Sequence, residues 1–295
     1  MPQPTAQPQF TNPVAPLGTP LSLLVLTNFF PAAHRAVRYA AELAAPLGAQ
    51  LVLLHVRQAA VPGNDGDGDD ATNPTWLRDS HERDGELLMA LNALADEVHV
   101  PTSVELVPNL QPEIALDLAQ RYQPALFVVG RAATEVAELS GPALAILRSG
   151  RFPVLLVPET YRGTCCPNRV AVAADGDPFR LDETAAGARQ LLAELKPDLT
   201  VVNVSVVETD DYCLAARHQV EQSGLCAGAR QVHTRAFQHL STAQGLLQAV
   251  AATQAELLLL VARRHSVLGQ MFHRSITDQL MQLSPVPVLL LPAHD

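Results

Sequence analysis

The chain contains its own near copy, and any fold it adopts must accommodate the repeat. ALFVVGRAATEVAELSGPALAILRSGRFPVLLVPE, from Ala125, and ELLLLVARRHSVLGQMFHRSITDQLMQLSPVPVLLLPA, from Glu256, follow one plan. Each runs from an apolar stretch through a turn and an amphipathic stretch into Pro-Val-Leu-Leu-(Val/Leu)-Pro, so that Pro153 aligns with Pro287 and Pro158 with Pro292. The starts match as well: LSLLVLTNFFPAAHRAVRYAAELAAPLGAQLVLLHV, from Leu21, parallels RVAVAADGDPFRLDETAAGARQLLAELKPDLTVVNV, from Arg169. Self-similarity of this kind means two structural units of one type, and 295 residues are enough for two domains. The expected organisation is a leader at 1–20, a first domain at 21–159, a linker at 160–167 and a second domain at 168–295.

Within each unit the pattern alternates strand and helix. LSLLVLT is a continuous β-rich apolar run, as expected of a strand covered on both faces. Ala33, Val37, Ala40, Ala41 and Ala44 follow at helical spacing, and Pro31 falls where a first helical turn tolerates a missing N–H. Further helices are expected near Trp76–Glu97, Gln111–Tyr122 and Pro142–Ser149, and further strands near Thr102–Val107, Ala125–Val129 and Val154–Val157. The second unit is shorter in its middle, with CLAARHQVEQSG and STAQGLLQAVAATQ as helices and RQVHTRAF as a strand. Strands separated by helix-length segments imply right-handed crossovers. The fold class is therefore α/β: two tandem Rossmann-like domains, each with a five-stranded, mostly parallel sheet. The near copies VLLVP at Val154 and VLLLP at Val288 are expected to pair antiparallel, which makes an internal pseudo-dimer and protects two edges.

Composition narrows the function. A formal charge of −10 argues against general nucleic-acid binding, which needs a basic face. No apolar run is long enough to cross a membrane, and the leader MPQPTAQPQFTNPVAPLGTP suits a disordered segment better than a signal peptide. Cys165, Cys166, Cys213 and Cys226 offer no CxxC pair, and reduced thiols in the cytoplasm are expected. GNDGDGDD, from Gly63, fails as a calcium loop: a frame from Asp65 puts Asp70 where glycine belongs and Trp76 where glutamate belongs. The histidines lack metal-ligand spacing and no nucleophile elbow surrounds Ser140 or Ser275. The chain reads as a non-enzyme.

The start LVLTNFFPAAHRAVRYAAELAAPLGAQLVLLHV and the Pro-Val-Leu-Leu endings resemble tandem members of the universal stress protein family, over almost the whole chain beyond the leader. That resemblance implies an adenine-nucleotide α-hydrolase-like fold. In ATP-binding members an Asp after the first strand contacts the adenine end, and Gly-x2-Gly-x9-Gly-Ser/Thr wraps ribose and phosphates. Carried over here, the Asp position is Asn28 in the first domain and Asp175 in the second. The first domain keeps Gly130 but holds Ala133 at the second glycine, with Ser140–Gly141 at the Gly-Ser pair. The second domain holds Val261, Arg264 and Arg274–Ser275 at those places. One copy keeps a glycine and loses the acid; the other keeps the acid and loses every glycine. An adenylating enzyme on a related fold would need an S-G-G-x-D-S-like loop after the first strand, which TNFFPAA and ADGDPFR both lack.

Each candidate carries two readings. Arg263, Arg264, His265, His273 and Arg274 form either a side-chain anion site, since guanidinium forks bind phosphate without glycine, or the filling of a former phosphate cleft. Ser275 is a phosphate ligand by position and an ordinary helix cap by its S-I-T-D context. Asp175 holds an adenine amino group or belongs to an Asp-Gly-Asp-Pro turn and cap between strand and helix. The leading expectation is a non-catalytic, cytoplasmic stress-response protein acting through an unknown protein partner, with no cofactor. The alternative is an ATP-binding switch with slow hydrolysis in the second domain, with ATP the one candidate ligand. A homodimer is permitted but not required.

Overall fold

The computed structural model describes residues 18–57, 75–133, 146, 147, 149, 151–206, 210–263 and 276–294. The leader through residue 17, the Gly63–Asp70 loop, and Ser140 to Pro142 lie outside them. The strands are β1 (Ser22–Leu26), β2 (Gln50–Val56), β3 (Thr102–Val107), β4 (Ala125–Arg131), β5 (Val154–Pro158), β6 (Arg169–Ala173), β7 (Asp198–Ser205), β8 (Gln231–Gln238), β9 (Leu257–Arg263) and β10 (Val288–Ala293). The helices are α1 (Pro31–Leu47), α2 (Thr75–Glu97), α3 (Pro112–Arg121), α4 (Ala186–Leu195), α5 (Asp210–Gln222), α6 (Thr242–Thr253) and α7 (Ile276–Leu283). Of the helix expected near Pro142–Ser149, residues Ile146, Leu147 and Ser149 are helical.

The ten strands of the described residues form one sheet in the order β3-β2-β1-β4-β5-β10-β9-β6-β7-β8. Each half is parallel within itself, because every connection is a crossover, and the seam between them is antiparallel. The seam is formed by VLLVP and VLLLP: Val288 lies opposite Leu156, Leu289 opposite Leu155 and Leu290 opposite Val154. These residues are buried, since a central strand of a sheet covered on both faces needs apolar side chains on both. The core is aliphatic, built from Leu, Val and Ala with few aromatics.

Helix α1 begins with Pro31 at its first turn and buries Ala33, Ala36, Val37, Ala40, Leu43 and Ala44. That stripe carries α1 across the sheet. The second half departs from its copy here. Asp175 to Pro178 is a turn but not a helix cap: the chain continues without helix to Asp182, whose Oδ1 accepts the Thr184 N–H at 2.9 Å. A 3-10 turn (Glu183–Ala185) then leads into α4. The delay has a long-range cause. Arg180 and His294 exchange backbone hydrogen bonds in both directions, at 2.7 and 2.9 Å, which holds residue 180 in strand geometry against the end of β10. Having crossed β10, the chain starts α4 over the first half. A Cβ on Gly187 would sit 2.2 Å from the Ala125 carbonyl oxygen, so α4 rests directly on the start of β4.

Candidate functional site

In an open α/β sheet the ligand crevice forms beyond the carboxyl ends of the strands where the strand order reverses. That point lies between β1 and β4 in the first half and between β6 and β9 in the second. The structure therefore brings Asn28 and Gly130 to one crevice, and Asp175 and Arg263 to the other. Arg264, His265, His273, Arg274 and Ser275 lie outside the described residues.

Around the first crevice the chain makes several contacts with itself. The Asn28 side chain accepts the Phe30 N–H at 3.3 Å, a local turn bond. Phe29 has φ 61, the left-handed region, where a bulky side chain costs roughly 1–2 kcal/mol. The strained backbone lays its ring against His55 at the end of β2, centroids 5.5 Å apart. The His55 ring is held in turn, its Nδ1 lying 3.0 Å from the Thr27 carbonyl oxygen. Beside this pair, Gly130 is covered by the first turn of α1. A Cβ there would lie 2.0 Å from the Ala32 carbonyl oxygen and 2.9 Å from the Ala33 nitrogen. The glycine thus serves helix–strand packing, the role the third glycine has in dinucleotide folds. Thr27 Oγ1 is buried beneath with no hydrogen-bond partner among the described residues.

The second crevice is built differently. Asp175 is half-buried, and its Oδ1 accepts the Asp177 N–H at 3.3 Å, which stabilises the turn. Val261, at the first glycine position, is buried in β9 opposite Leu291. Its side chain belongs to the core. Arg263 is the last residue of β9.

Sequence reasoning missed three residues. Phe29 and His55 carry no motif; the only hint was the absence of glycine from Asn-Phe-Phe-Pro. Arg131, directly after Gly130, donates from Nη2 to the Ser284 carbonyl at 2.8 Å and from Nη1 to the Gln282 carbonyl. Nothing in the repeat pointed to that bond, because the aligned residue of the second unit is Ala262. Among the described residues no group of His, Cys, Asp or Glu could hold a metal ion, and no helix is long and apolar enough to cross a membrane.

Parallel strands on both sides of an antiparallel seam, with a switch-point crevice in each half, define a doubly wound α/β protein of Rossmann-like type. Residues 22–158 match the model of the universal stress protein family. No curated protein matches it in sequence. Solved structures extend the likeness of fold across both halves. A universal stress protein from Archaeoglobus fulgidus is 16% identical, with 92% of this chain and 97% of that one covered and a TM-score of 0.65. A functionally unknown protein from Pseudomonas aeruginosa is 16% identical over 92% of each chain, with a TM-score of 0.53. The cytoplasmic domain of a prokaryotic cation chloride cotransporter is 14% identical, with 94% of this chain and 96% of that one covered and a TM-score of 0.50.

Proposed function

We propose that this is a non-catalytic, cytoplasmic stress-response protein of the universal stress class that acts by binding a protein partner, its ordinary nucleotide cleft given up. The observation that carries the reading is the cover over Gly130. A glycine in a phosphate loop leaves its Cα face open so that phosphate oxygens can reach the backbone. Here the Ala32 carbonyl stands 2.0 Å from the place of a Cβ. A carbonyl oxygen is also the wrong pole for an anion, since it repels phosphate. In the second half the corresponding position carries Val261, whose side chain lies in the core, so no glycine stands there to present an open backbone.

The test is native mass spectrometry of freshly purified protein, followed by calorimetric titration with ATP and magnesium. The expected result is no co-purified nucleotide and no heat at millimolar ATP, after which the partner is sought by pull-down. Micromolar binding abolished by Asp175→Ala would overturn the reading and make the second half an ATP-binding switch.

A further inference from the structure

Helix α7 is short, and a short helix holds its last turn poorly because its final carbonyls have no partner within the helix. In this chain a residue of the other half supplies one. The side chain of Arg131, at the end of β4, crosses the seam and places its fork on the Gln282 and Ser284 carbonyls. A cation at a helix C-terminus also meets the negative end of the backbone dipole. Both ends of the contact are anchored. The Arg131 carbonyl accepts the Glu159 N–H at 2.8 Å, tying β4 to the residue after β5. Ser284 is buried, its N–H bonded to the Leu280 carbonyl at 2.9 Å and its hydroxyl to the Val286 carbonyl at 2.7 Å.

We infer that Arg131 is a latch between the halves, so that the turn after β4 and the docking of the last turn of α7 behave as one equilibrium. The two segments it joins are not equivalent in the repeat. One follows Gly130 in the first crevice, and the other belongs to the helix that the chain enters after residues 264–275. Whatever shifts the first segment pulls on the second, and the coupling is reciprocal. The contact is suited to this because it is strong only while complete. Burial lowers the proton affinity of Arg131, and among the described residues its guanidinium is compensated by the Gln282 and Ser284 carbonyl oxygens. Once the fork leaves the carbonyls, solvent is the better environment for the charge. The tie between the two segments does not depend on a nucleotide in either half.

Amide hydrogen exchange on the full chain tests it, comparing wild type with Arg131→Met and Arg131→Lys. Methionine keeps most of the stem and removes the fork; lysine keeps the charge but offers no planar pair of donors. The expected result for Arg131→Met is exchange at least tenfold faster both from Leu280 to Ser284 and from Arg131 to Ala133, with β2 and β7 within twofold of wild type. Arg131→Lys should fall between. If either segment stays within twofold of wild type in Arg131→Met, the two are not one equilibrium and the latch is refuted. Uniform acceleration through all strands in that variant would equally refute it, since Arg131 would then support the whole fold and not a local tie.

Discussion

Replacing Gly130 with alanine separates two reasons for a glycine at that position. If the residue were kept open for a phosphate, a methyl group there would cost little stability and would weaken nucleotide binding. If it is kept for packing, the new Cβ meets the Ala32 carbonyl oxygen at 2.0 Å, the Ala32 carbonyl carbon at 2.4 Å and the Ala33 nitrogen at 2.9 Å. A carbon–oxygen contact is comfortable at about 3.3 Å, so the first turn of α1 must withdraw by about 1.3 Å. The obstacle is backbone, so no rotamer change relieves it. Pro31 at the start of the helix limits local adjustment, and Ala32, Ala33 and Ala36 are buried. Overpacking of this kind costs about 1–3 kcal/mol. Urea denaturation of Gly130→Ala should therefore show a lower midpoint at an unchanged slope. Ala32→Gly should not rescue it, because it removes a methyl group and leaves the carbonyl in place. A change in stability below about 0.5 kcal/mol, the usual range for a neutral surface substitution, would refute the packing account.

Other outcomes follow from the same geometry. Burial, then Glu42, pushes the Cys165 thiol up to about 12 from an ordinary 9.0, and Cys226 rises to about 11 from burial, then Glu221. The folded chain holds these protons more tightly than the unfolded one, so their contribution is complete below pH 9 and is lost as pH climbs through 11 and 12. The urea midpoint should fall across that window and fall less in Cys165→Ala; a flat profile would contradict it. Asp182→Ala removes the acceptor of the Thr184 N–H and should cost about 1 kcal/mol by the same denaturation assay. Co-expressed fragments 1–163 and 164–295 should elute as a one-to-one complex in light-scattering chromatography, because the β5–β10 seam is buried and Gly187 rests on Ala125. Recovery of two separate, folded monomers would show that the seam does not hold them.

The parts of this fold that were legible in the sequence depend on pattern within a segment. Pro31 with its alanine stripe specified α1, and the near identity of VLLVP and VLLLP marked the two strands that meet at the seam. The parts that were not legible depend on contacts between distant residues. DGDPFRLDET offers two helix starts, one at Asp175 and one at Asp182. Local chemistry does not choose between them; the backbone pairing of Arg180 with His294 does. Gly130 was visible as a glycine, yet its reason lies in the carbonyl of Ala32, far away in the chain. Phe29 shows the same limit, since nothing in Asn-Phe-Phe-Pro announces a left-handed residue. Of the basic candidates, Arg263 is placed at the end of β9.

A seam formed inside one polypeptide has a consequence for stoichiometry. Two separate chains meeting along a final strand exchange partners, dissociate on dilution and present the same surface twice. Here the two copies are tethered by the short stretch from Pro158 to Arg169, so β5 meets β10 at an effective concentration fixed by the tether, whatever the amount of protein in the cell. The pairing therefore depends on the tether and not on the expression level. It also frees the copies from being identical. One copy holds a glycine packed against α1, the other an aspartate whose side chain accepts a turn N–H. The two crevices of this molecule therefore present two different faces.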